Sequence, residues 1–86
     1  MSHILVIYDD ESFRDFAGQA LRAGGHTVTI AADARVGLEI AWAEPPDLVV
    51  SDIHMPGISG FEFAEMLNAD SARRWVPVIL MSSHDD

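Results

Sequence analysis

Apolar and polar positions alternate along this chain between two kinds of pattern. Ile4 to Tyr8 is an uninterrupted apolar run with β-branched members at Ile4, Val6 and Ile7, the pattern of a short buried strand, and it ends at Asp9-Asp10-Glu11. From Phe13 the pattern changes: Phe13, Phe16, Ala17, Ala20 and Leu21 fall at i, i+3, i+4, i+7 and i+8 and predict a helix with both aromatic rings in the core. Asp10 or Ser12 caps its start, and Gly24-Gly25 stops it. His26 to Ala31, rich in Thr27, Val28, Thr29 and Ile30, reads as a second strand with one less apolar face, as at a sheet edge. Asp33 caps a second helix whose Ala34, Gly37, Leu38 and Ala41 face the sheet, leaving Ile40 and Trp42 at the rim.

The rest of the chain is organised around Asp47 to Gly60. Leu48 to Ser51 lies between Pro45-Pro46 and Pro56-Gly57, too short for a surface helix and too apolar for a loop, so it reads as a buried parallel strand with Asp52 at its end. A Met-Pro-Gly turn follows. Ser59-Gly60 then leads into a third helix carrying Phe61, Phe63, Ala64, Met66 and Leu67, whose aromatic residues are expected in the core. Asn68 to Arg74 reads as a loop, and Trp75-Val76-Pro77 introduces a last strand, Val78 to Met81, ending at Ser82-Ser83.

Strictly alternating strands and helices predict an α/β fold with right-handed crossovers and a doubly wound parallel sheet. Such a sheet gathers its strand ends along one edge, here Asp9, Asp10, Asp52 and Ser82. Alternatively, Asp52 does no more than cap the segment that follows it.

At 86 residues the chain is one small domain, residues 1–86, with a single core. It has no cysteine, which removes disulfides and thiolate metal sites from consideration. Neither a signal-peptide pattern nor an apolar stretch near the roughly 20 residues of a bilayer span is present, so a cytoplasmic protein without membrane contact is expected. Fourteen acidic residues oppose five arginines, with no lysine, for a formal net charge of −9. That balance argues against nucleic acid as a direct partner and suits a cation or a basic protein face.

Carboxylates crowded in a partly desolvated crevice repel one another unless a cation neutralises them. Their all-oxygen chemistry favours Mg²⁺, or Mn²⁺, over zinc. Because Mg²⁺ commonly bridges a carboxylate to a phosphoryl oxygen, phosphoryl transfer is the reaction class, with Asp52 as the nucleophile.

Three stretches carry a family resemblance: Ile-Leu-Val-Ile-Tyr-Asp-Asp-Glu at the start, Pro-Asp-Leu-Val-Val-Ser-Asp-Ile-His-Met-Pro-Gly-Ile-Ser-Gly-Phe-Glu in the middle, and Val-Pro-Val-Ile-Leu-Met-Ser-Ser near the end. In residues and spacing they resemble the receiver domain of two-component response regulators. The resemblance implies a flavodoxin-like sheet of strand order 2-1-3-4, and a phosphoryl group accepted on Asp52 from a histidine kinase or phosphotransfer protein. It further implies Mg²⁺ held by Asp9, Asp10, Asp52 and the backbone carbonyl of His54, with Ser82 contacting the phosphoryl group and coupling it to a switch. The His54 side chain has no implied role, and His3, His26 and His84 read as surface residues.

Two positions depart from the family pattern. Tyr8 stands where an aliphatic residue is usual and places a hydroxyl near the acids or on the sheet face. The sequence also stops where the family continues through a helix, a strand ending in lysine and a last helix, so a receiver incomplete at its C-terminus is expected. Such a domain catalyses at most its own phosphorylation. An alternative is a receiver-like interaction or assembly module that does not switch; a Mg²⁺-dependent phosphohydrolase is weaker, because no general base or substrate pocket is identifiable. The Val78 to Met81 edge is expected to drive formation of a homo-oligomer.

Overall fold

Among the described residues, four short apolar runs form four parallel strands, and the amphipathic segments between them form three helices. The order is β1 (His3–Ile7), α1 (Glu11–Ala23), β2 (Thr27–Ala31), α2 (Ala34–Ala43), β3 (Leu48–Asp52), α3 (Gly60–Leu67) and β4 (Val78–Met81). The coordinates are a computed structural model that describes residues 2–69 and 76–81. The strands pair in the order β2-β1-β3-β4, the expected one, with Ile7 opposite both Ala31 and Ser51, and Asp52 opposite Met81.

The two-residue period of the strands divides the core into two layers. Leu5, Ile7 and Val49 join Ala34, Leu38, Ala41, Phe63 and Leu67 beneath α2 and α3. Ile4, Val6, Tyr8 and Val28 form the second layer with Phe13, Ala17 and Leu21 of α1. Leu5, Val6, Ile7, Val49 and Phe63 are wholly buried, each contributing on the order of 1.5–3 kcal/mol relative to exposure. No helix among the described residues is long and apolar enough to cross a membrane.

The helices start where their caps dictate. The Asp10 carboxylate accepts from the amides of Ser12 and Phe13, so α1 begins at Glu11, two residues before its first aromatic. Asp33 accepts from the Val36 amide to begin α2. Ser59 and Glu62 form a reciprocal capping box at α3, so this helix is capped by Ser59 and not by Asp52.

Two aromatic residues expected in the core lie outside it. Phe16 is 70% exposed and Phe61 62% exposed. The buried side of α1 is centred nearer Gly18, where a β-carbon would stand only 3.0 Å from Ile30 Cδ1; close approach there turns Phe16 and Ala20 outward. Arg14 and Arg22 complete that side by donating to the carbonyls of Tyr8 and Val28. On α3, Gly60, Phe63, Ala64 and Leu67 occupy the i, i+3, i+4, i+7 positions, and Phe61 falls beside that stripe. His3, expected at the surface, is half-buried, with Nε2 2.8 Å from Thr29 Oγ1. Trp42, by contrast, stands at the rim as expected, 40% exposed. Most of the expected 68–74 loop, together with Trp75, Ser82, Ser83 and His84, lies outside the described residues.

Candidate phosphoacceptor site

Asp52 is the last residue of β3 and is 1% exposed. Leu48 and Val50, four and two residues earlier, pack in the α1 layer, and the strand period puts Asp52 in phase with them. Its Oδ1 accepts from the His54 amide at 3.3 Å, and its main-chain carbonyl accepts from Ser51 Oγ at 2.9 Å. The chain then turns through Pro56-Gly57, where Gly57 has φ of 83°, a left-handed conformation suited to glycine. Gly60 lets α3 close against this turn: its amide donates to the Ile53 carbonyl at 2.9 Å, and a β-carbon there would collide with the Asp52 carbonyl oxygen.

The acids after β1 diverge. Asp10 is held against α1 by its two capping bonds, whereas Asp9 is exposed and lines a cleft against α2 and the turn at residues 56–58. The crowded crevice of three carboxylates expected from the sequence is not formed: among the described residues no group of three or more histidines, aspartates or glutamates is gathered as a metal site. The donor types nevertheless fit a hard divalent cation. Mg²⁺ commonly takes only one or two carboxylates and keeps several waters, so a cage of protein ligands is unnecessary. Ser82 lies outside the described residues.

Tyr8 adds a feature the sequence only partly signalled. Because Ile7 pairs with Ser51, Tyr8 follows at the level of Asp52 on the neighbouring strand and in the same strand phase. Its ring packs on Phe13 with centroids 4.1 Å apart and planes tilted by 37°. Burial, and next the charge of Asp52, push the phenol above its ordinary pKa of 10.0.

Two further contacts lacked any periodic signature. The Asn68 side chain donates to the Val76 carbonyl at 3.2 Å and accepts from the Val76 amide at 3.0 Å, closing the connection between α3 and β4. At the opposite end of the sheet, the His3 amide donates to Asp47 Oδ2 at 2.8 Å while its carbonyl accepts from the Asp47 amide at 2.8 Å. An asparagine at a helix end and an aspartate before a strand are visible in the sequence, but their distant partners are not.

Comparison with known proteins agrees with this architecture. The family model described as the response regulator receiver domain matches residues 4–86. The transcriptional regulatory protein AfsQ1 of Streptomyces coelicolor is 34% identical over 86 residues, covering 100% of this chain and 37% of its own length. Protein PilH of Pseudomonas aeruginosa is 33% identical over 85 residues, covering 99% of this chain and 70% of its own. The chain thus spans little more than a third of the first of these relatives. Among solved structures, chemotaxis protein CheY4 of Vibrio cholerae superposes with a TM-score of 0.90 at 29% identity, over 100% of this chain and 72% of that one. The N-terminal domain of a response regulator receiver protein from Methanoculleus marisnigri gives 0.90 at 33% identity, over 98% and 68%. With a family match over nearly its whole length and the four-stranded parallel order built around Asp52, the chain belongs to the response regulator receiver domain family.

Proposed function

We propose that this receiver accepts a phosphoryl group on Asp52 from a histidine kinase or phosphotransfer protein in two-component signalling. The observation that carries the reading is the placement of Asp52: a carboxylate fixed at the C-terminal end of a central parallel strand and steadied by the His54 amide. A carboxylate oxygen attacks phosphorus, an O–P bond forms as the donor's P–N bond breaks, and the departing imidazole keeps the electron pair and takes up a proton. Asp9, Asp10, Asp52 and the carbonyl of His54 would hold Mg²⁺, and Ser82 would contact the transferred group. When bound, Mg²⁺ neutralises charge on the phosphoryl oxygens. The chain's own contribution is to orient the Asp52 oxygen. The domain works in the cytoplasm, makes no direct contact with nucleic acid and turns over no separate substrate.

Intact-mass and peptide mass spectrometry after incubation with Mg²⁺ and a small phosphodonor tests the reading. A covalent phosphoryl addition on Asp52, lost in Asp52→Asn, is the expected result; addition retained by that variant overturns it. A second reading, a receiver scaffold that assembles without switching, draws support from β4, which among the described residues is paired on one side only and has Ile79 and Met81 49% and 42% exposed. An unmodified Asp52 in the same experiment favours it.

A further inference from the structure

Between α2, α3 and the turn at residues 56–58 lies a cleft of about 680 Å³. Ligand sites are usually concave, mostly apolar and between roughly 300 and 1,000 Å³, with a few charged groups fixing orientation. This cleft has that make-up. Trp42, Ile58 and Met66 line it, and Trp42 and Met66 are 40% and 42% exposed. Asp9, Asp33 and Glu39 also line it, against the single guanidinium of Arg35. Asp33 is anchored by its bond from the Val36 amide.

We propose that the cleft is a binding site for a small aromatic cation. An indole and a thioether favour a flat, polarizable ring, and an aromatic face also attracts positive charge. Three carboxylates against one guanidinium select a positive substituent, and the chain's net charge of −9 opposes an anionic one. Asp9 serves both this cleft and the proposed Mg²⁺ site, so the occupant and the metal weaken one another reciprocally. That consequence rests on the phosphoacceptor reading, whereas binding in the cleft does not.

The test is an NMR titration of the whole 86-residue chain, without Mg²⁺ or phosphodonor, using naphthylmethylammonium, naphthylmethanol and naphthoate as probes of equal shape. The cation is expected to move the Trp42 indole and the Ile58 and Glu39 amide signals, and to bind about fivefold more tightly than the alcohol. Naphthoate should bind weakest. Glu39→Gln, at an exposed position, should weaken the cation severalfold and leave the alcohol unchanged. Naphthoate or naphthylmethanol binding as tightly as the cation overturns the charge assignment. Cleft signals that stay unmoved by the cation up to about 10 mM overturn the site itself.

Discussion

Asn68 forms with Val76 the pair of hydrogen bonds a neighbouring strand would offer, giving one to the carbonyl and taking one from the amide. Asn68→Ala strips both and should lower stability by about 1–3 kcal/mol. Asn68→Asp keeps the acceptor but cannot donate, and should fall between the two. Urea unfolding of the three proteins checks the order, and equal midpoints for the parent and the alanine variant would show the pair to be idle.

Tyr8 makes stability depend on pH at the alkaline end. Its phenol is held above 10.0 by burial and then by the charge of Asp52, so the folded state retains the proton that the unfolded state gives up. The stabilisation is complete below pH 10 and drains away as pH rises through the folded value. Tyr8 is the chain's single tyrosine, so tyrosinate absorbance follows it directly. Its midpoint should lie above 10.0 and move down in Asp52→Asn, and a midpoint at or below the ordinary value contradicts the assignment.

Asp10 caps α1 and is proposed to hold Mg²⁺, two roles that metal titration separates. Asp10→Ala removes the N-cap of α1 and should cost about 1 kcal/mol without any cation present. If Asp10 also holds Mg²⁺, the rise in melting temperature that millimolar Mg²⁺ gives the parent should shrink in the variant. An unchanged Mg²⁺ increment would place the metal elsewhere.

Among the described residues β4 is paired on one side only, and the 86-residue chain tested by itself should self-associate through the other. Ile79 and Met81 face out, Phe16 is 70% exposed, and unpaired strand edges invite another chain, with burial adding roughly 25 cal/mol per Å². A homodimer or larger assembly burying Val78–Met81 is expected from light scattering behind a sizing column. A cooperatively melting monomer at micromolar concentration would refute it.

What the sequence made legible followed from local rules. The four strands, the cap at Asp33, the entry to α3 at Ser59-Gly60 and the end-of-strand position of Asp52 each depend on a few neighbouring residues. Phe16 and Phe61 defeated the same logic, because helical spacing identifies a stripe without saying how far the helix rolls on its sheet. On α1 that roll is associated with the closeness of Gly18 to Ile30, a contact between elements. The divergence of Asp9 and Asp10 was hidden for a related reason: one carboxylate is used by the helix it precedes and its neighbour is not.

The two-residue beat of β3 ties the aim of the proposed phosphoacceptor to the burial of apolar side chains. Val49 belongs to one layer and Val50 to the other, and Asp52 keeps time with Val50. Deleting one residue between them would have to swing the carboxylate across the sheet or turn the preceding strand inside out. Short of a bulge that absorbs the extra residue, insertions and deletions in this segment preserve the aim of Asp52 only by twos, a constraint resembling a reading frame, imposed by geometry on side chains remote from the carboxylate itself.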